Sequence, residues 1–154
     1  MAEHHARISW KSAGDFPKGR YSREHTWTFD GGATVAASSS PAVVPAPLSN
    51  PANVDPEEAF VASLSSCHML SFLYVAWKGG WQVARYDDEA VGHMVKNEHG
   101  VPWIARVVLA PAVTYAGDRR PSADEERALH HAAHEQCFIA NSVKTEVAVE
   151  PRSA

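Results

Sequence analysis

Two thiols and a scatter of imidazoles are the side chains in this sequence best suited to chemistry. Cys67 lies in Ser65-Ser66-Cys67-His68-Met69-Leu70, and Cys137 follows seventy residues later in His134-Glu135-Gln136-Cys137-Phe138. As a redox pair they would pass from thiolate through sulfenic acid to a disulfide. With His68 and His134 they make a two-Cys, two-His inventory for zinc, although adjacent Cys and His suit one metal poorly and no Cys-x-x-Cys knuckle occurs. With His134 as a base, one cysteine could be a hydrolytic nucleophile, which leaves the other without a role. The plainest alternative is two inert thiols, since free Cys is among the most buried residue types.

The elements that must position these thiols are readable from pattern. Asp55-Pro56-Glu57-Glu58 opens a helix with an N-cap Asp, a Pro at the first helical position and a Glu at the third. Past Ala59 it is apolar nearly all round, from Phe60, Val61 and Leu64 to Phe72, Leu73, Val75 and Trp77, and Cys67 sits in its middle. A helix with no polar face must be enclosed on several sides, and one sheet of so small a protein cannot enclose it, which points to cover from a second subunit. A second helix starts at Ser122, where Glu125 completes a capping box, and runs to about Cys137. Crossed or antiparallel packing of the two helices could bring the thiols into the ~4.4–6.8 Å Cα range of a disulfide.

Around the helices the pattern alternates as strands do. Ala6–Trp10, Tyr21–Phe29 and Ala33–Ser38 precede the first helix, with a turn at Asp30-Gly31-Gly32. Residues 39–54, rich in Ser, Pro and Ala, are expected to be a long loop of the kind that covers functional sites. Trp81–Lys96 and Val101–Tyr115 are expected as two long strands joined at Asn97–Gly100, and Val143–Val149 as a last strand. The order βββ, helix, ββ, helix, β is that of an α+β domain, expected to be a single one over residues 1–154.

Composition bounds the function. With 45% hydrophobic and 21% charged residues, the chain has the balance of an ordinary soluble protein. A net charge of −4 gives no basic surface for nucleic acid or anionic membrane. The apolar stretch Ala59–Trp77 carries four serines, a His and a Cys, which argues for a buried helix over a membrane span. Met1-Ala2-Glu3-His4-His5 leads into a mixed segment with no apolar signal core, so a cytoplasmic location is expected, where a structural disulfide is not the default.

The run Asp55-Pro56-Glu57-Glu58-Ala59-Phe60, continuing into Ser65-Ser66-Cys67, resembles the "NPEE…C" signature of the OsmC-like and organic-hydroperoxide-resistance proteins. Cys67 stands ten residues after Glu57, as the signature requires, and Asp55 replaces its Asn with an equally good cap. The long hairpin, the capped helix, His134-x-x-Cys137 and the closing strand extend the resemblance over roughly residues 6–150.

The resemblance implies an OsmC-like fold: an intertwined homodimer, with two central Cys-bearing helices packed against antiparallel sheets and the active sites at the subunit interface. It implies a thiol peroxidase, with Cys67 as the peroxidatic residue, Cys137 as the resolving one, Glu57 as the signature glutamate and an arginine from the N-terminal strands. That arginine is Arg23 or Arg20, with Arg23 at about the expected distance from the Asp30-Gly31 turn. Arg23 would stabilise the Cys67 thiolate and Glu57 would orient its guanidinium. Glu57 and Cys67 are about 15 Å apart along one helix, so Glu57 would serve a Cys67 site across the dimer interface. The substrate would be an organic hydroperoxide, the reductant a dithiol, lipoyl compounds included, and no metal or other cofactor would be needed. Members of the fold that bind small molecules or lipids without catalysis are the alternative. Roles for His25, His68 and His134 stay open.

Overall fold

The computed structural model describes residues Met1–Ser153. The chain divides into two compact units, Met1–Ala59 and Phe60–Ala154. In the first, β1 (Ala6–Ser9), β4 (His25–Phe29) and β5 (Thr34–Ala37) form an antiparallel sheet in the order β1-β4-β5. The expected strand Tyr21–Phe29 is broken. Arg20–Tyr21 (β3) instead pairs with Gly14–Asp15 (β2) in a small ribbon. Gly14 is required there: it sits at φ +98°, and a Cβ would meet the Arg20 carbonyl oxygen at 2.5 Å.

The long loop is ordered by its own hydrogen bonds. The Ser38 N–H donates to the Val54 carbonyl at 3.0 Å, and the Asn50 side chain donates to Glu24 at 2.8 Å. The Arg23 N–H donates to the Leu48 carbonyl at 2.9 Å. The loop thus clamps the segment that carries Arg23.

Helix α1 (Pro56–Lys78) begins as the sequence predicts. The Asp55 carboxylate accepts the Glu58 N–H at 2.8 Å, and the Glu58 carboxylate accepts the Asp55 N–H at 3.3 Å. In the second unit, Leu64, His68, Phe72 and Ala76 form the buried face of α1. By length and composition alone α1 could cross a bilayer, with a mean hydropathy of 1.5 over its most apolar window. A face that buries a hydrogen-bonded histidine is instead a surface for packing against protein.

The two long strands expected over Trp81–Lys96 and Val101–Tyr115 are each broken in the middle. They become β6 (Val83–Asp88), β7 (Val91–Lys96), β8 (Pro102–Leu109) and β9 (Pro111–Tyr115). The hairpin therefore bends, and its halves lie in separate sheets, β6-β9 and β10-β8-β7, where β10 is Glu146–Val149. β10 runs parallel to β8, while the other ladders are antiparallel. Asp88 holds the corner, accepting the Ala110 N–H at 2.7 Å and, through its other oxygen, the Ser65 hydroxyl of α1.

The corner divides the core. The first half of α1 puts Leu64 on Val107 and Leu109, beside Val147 and Val149. The second half puts Phe72 and Ala76 on Val113 and Tyr115, together with Leu129 and Ala133 of α2 (Ala123–Gln136). Helix α2 has the predicted capping box, Ser122 with Glu125, and ends one residue earlier than expected, with Cys137 as its extended C-cap.

Replacing Asp88 by Ala removes both anchors and leaves the Ala110 N–H without its partner. Urea unfolding is expected to show a loss of about 2–3 kcal/mol. An unchanged midpoint would show that the corner does not depend on this carboxylate.

Candidate active site

Cys67 is half-buried on α1, and Cys137 is buried at the end of α2. Past Cys137 the chain folds into a 3₁₀ turn, Ala140–Ser142, that aims two backbone donors at the sulfurs. The Ile139 N–H donates to Cys67 Sγ at 3.5 Å and the Ala140 N–H to Cys137 Sγ at 3.4 Å. Adjacent backbone donors thus serve the two sulfurs, and both thiols are free. Burial, followed by the neighbouring Cys67 thiol, pushes the Cys137 thiol up to about 11. Cys137 therefore keeps its proton at neutral pH, while the Cys67 sulfur receives the Ile139 N–H. Of the two sulfurs, the half-buried one is the more accessible to a ligand.

Behind the thiols lies a histidine pair of which sequence reasoning singled out only half. His68 Nε2 is 3.1 Å from His130 Nδ1, with the rings 11° from parallel, and Phe72 stacks on His130 at 4.3 Å. His68 thus faces the core and α2. His130 had a legible signal: it lies seven residues, two helical turns, before Cys137 and so shares its face of α2. Burial lowers both imidazoles to about 4; nearby His134 adds to the effect on His68, against the opposing pull of Asp88, and His68 adds to that on His130. His134 is half-buried with its Nδ1 unpartnered. Among the described residues no three His, Cys, Asp or Glu side chains are placed to hold one metal ion.

In the first unit, Arg23 is half-buried, with its guanidinium 3.6 Å over the Tyr21 ring. It donates to the Tyr21 carbonyl at 2.5 Å and the Gly19 carbonyl at 3.4 Å. It lines an apolar groove of about 450 Å³ with Ile8, Trp10, Phe16, Tyr21 and His25, closed by Pro56 at the start of α1. Arg20 is exposed and paired with Asp15. Both nitrogens of His25 are engaged: Nδ1 donates to the Arg23 carbonyl at 2.8 Å, and Nε2 accepts the Trp27 indole N–H at 2.9 Å. His25 is thereby a support for the Arg23 segment.

The expected bidentate pair between Arg23 and Glu57 is not formed within the chain, because backbone carbonyls and the Tyr21 ring take up the guanidinium. Glu57 Oε2 is nonetheless buried without a partner. Asp55 and Glu58 perform the capping of α1, so the helix terminus does not require the Glu57 carboxylate.

Within this α+β chain two free thiols, one on α1 and one at the end of α2, accept the N–H groups of adjacent residues. The family model described as "OsmC-like protein" matches residues 49–152, and the chain belongs to the OsmC-like family. An OsmC-like protein of unknown function from Vibrio cholerae is 52% identical, with a TM-score of 0.96, over 99% of this chain and 100% of that one. An organic hydroperoxide resistance protein from Elizabethkingia anophelis shares the fold at 17% identity and a TM-score of 0.73, over 100% of this chain and 98% of that one. The organic hydroperoxide resistance protein OhrB of Bacillus subtilis does so at 19% and 0.66, over 96% and 98%. No protein of curated function matches the sequence.

The lowered histidines set a pH dependence. Unfolded, each takes up a proton near pH 6.5; folded, only near pH 4. Their contribution to stability is therefore complete above about pH 6.5 and lost as pH falls toward 4. In urea unfolding at pH 7.5 and pH 4.5, the native chain is expected to lose about 1–2 kcal/mol more than His130→Leu. Equal losses would contradict the buried neutral pair.

Proposed function

We propose that this protein is a thiol peroxidase that reduces organic hydroperoxides to alcohols. The observation that carries the reading is the asymmetric thiol pair, a half-buried Cys67 and a buried Cys137 whose sulfurs accept the N–H groups of the adjacent residues Ile139 and Ala140. The Cys67 thiolate attacks the distal peroxide oxygen, the O–O bond breaks, and the alkoxide takes a proton to leave as the alcohol. Cys67 is then a sulfenic acid. Cys137 attacks its sulfur, water departs, and a Cys67–Cys137 disulfide remains. A dithiol, of the lipoyl class among others, returns both thiols by exchange while becoming a disulfide itself.

Arg23 and Glu57 complete the site in this reading. The buried, unpartnered Glu57 Oε2 supports it, since an isolated buried carboxylate oxygen calls for a donor. A guanidinium swung off the Tyr21 ring supplies one, with two parallel hydrogen bonds. A second copy of the chain is part of the proposal. Leu70, Tyr74 and Trp77 are 61%, 52% and 69% exposed on α1, and Phe138 beside Cys137 is 82% exposed. Apolar surface of this extent next to the thiols calls for cover. The protein acts in the cytoplasm, where dithiol reductants are maintained.

The apolar groove beneath Arg23 favours a second reading, a small-molecule or lipid binder without catalysis. Turnover separates the two. Cumene hydroperoxide should be consumed with dithiothreitol or dihydrolipoamide, abolished by Cys67→Ser and slowed by Cys137→Ser. Arg23→Ala or Glu57→Gln should lower kcat/KM about 10²-fold. No consumption with either dithiol leaves the binder. Sedimentation should give twice the 16.7 kDa chain mass, and the 16.7 kDa value alone would remove the second copy.

A further inference from the structure

Helices α1 and α2 meet through few side chains. Phe72, Leu129 and Ala133 supply apolar contact, and the rings of His68 and His130 supply a hydrogen bond of 3.1 Å inside it. Both histidines are essentially inaccessible, at 1% and 3% exposure. His68 Nδ1 and His130 Nε2 have no partner among the described residues. Two leucines at these positions would pack without that penalty, so stability alone does not account for the pair.

The pair's place in the fold supplies a reason. His68 directly follows Cys67, and His130 stands two turns before Cys137 on the same face of its helix. Apolar side chains on crossing helices tolerate small slides, whereas a buried hydrogen bond is satisfied at one register. Locking His68 to His130 therefore locks Cys67 relative to Cys137. We propose that the His68–His130 hydrogen bond is a register pin, a pair of positioning residues that holds the two thiols in place beside each other. It touches neither substrate nor sulfur and acts through the helices. The functional weight of the pin rests on the dithiol reading above, but its effect on the thiols can be measured without any peroxide.

The test is the equilibrium of the reduced protein with glutathione, in which one glutathione disulfide becomes two thiols as Cys67 and Cys137 lose their hydrogens and join. Mass spectrometry of the quenched mixture gives the effective concentration of the thiol pair. His130→Leu should lower that concentration about tenfold, whereas His130→Asn, whose amide stands where Nδ1 stood, should restore it to within about twofold. An unchanged value in His130→Leu would overturn the pin. So would His130→Asn failing as His130→Leu does at equal thermal stability, since packing alone would then explain both. Should His130→Leu not fold, His68→Leu against His68→Gln makes the same comparison. A wild type inert to peroxide would sink the peroxidase and leave this result to stand or fall by itself.

Discussion

Everything in this chain follows from the need to cover a 23-residue helix that has almost no polar face. An isolated apolar helix of that length is not stable in water, and burying it is the largest favourable term available. One stripe, Leu64, His68, Phe72 and Ala76, is buried in the second unit. Two small sheets and α2 divide the task, and the bent hairpin exists so that one pair of strands can reach both halves of the helix. The Asp88 corner stands opposite the middle of α1, bonded to Ser65 two residues before Cys67. The thiol thus sits where the two half-cores meet, and the other stripe, Leu70, Tyr74 and Trp77, faces outward.

The site's chemistry is an asymmetry between two otherwise similar groups. Burial keeps the proton on Cys137, whereas Cys67 is the more accessible and accepts the Ile139 N–H. In the proposed cycle a nucleophile and a resolving partner need to differ in this sense, since two equally accessible thiols would compete for the same oxidant. The capping of α1 shows a related economy. Asp55 and Glu58 satisfy the helix terminus, and Glu57, between Pro56 and Glu58, is released for other use.

The helices were the most legible part of the sequence, because capping boxes and apolar periodicity are local signals. The two cysteines on the two helices, and the strand order around them, followed from the same signals. The broken strands were not legible, since the break depends on a hydrogen bond from Ser65 to a carboxylate 23 residues away. Nor was the parallel pairing of β10 with β8, which alternation alone cannot distinguish from antiparallel. His130 escaped notice because a histidine on a polar helix reads as solvent-facing until its partner is known. Arg23 was singled out through a family pattern, but its contacts were not legible, because Tyr21 and backbone carbonyls compete for the guanidinium.

The central claim is that Cys67 and Cys137 act as one redox unit, and it can be tested by counting. Reduced protein treated with one equivalent of cumene hydroperoxide per chain should lose two thiols. Peptide mapping should find one intrachain Cys67–Cys137 disulfide, and dithiothreitol should return both thiols. Cys137→Ser should instead trap a sulfenic acid on Cys67 alone. Two thiols untouched by peroxide, or oxidation at Cys137 first, would contradict the account.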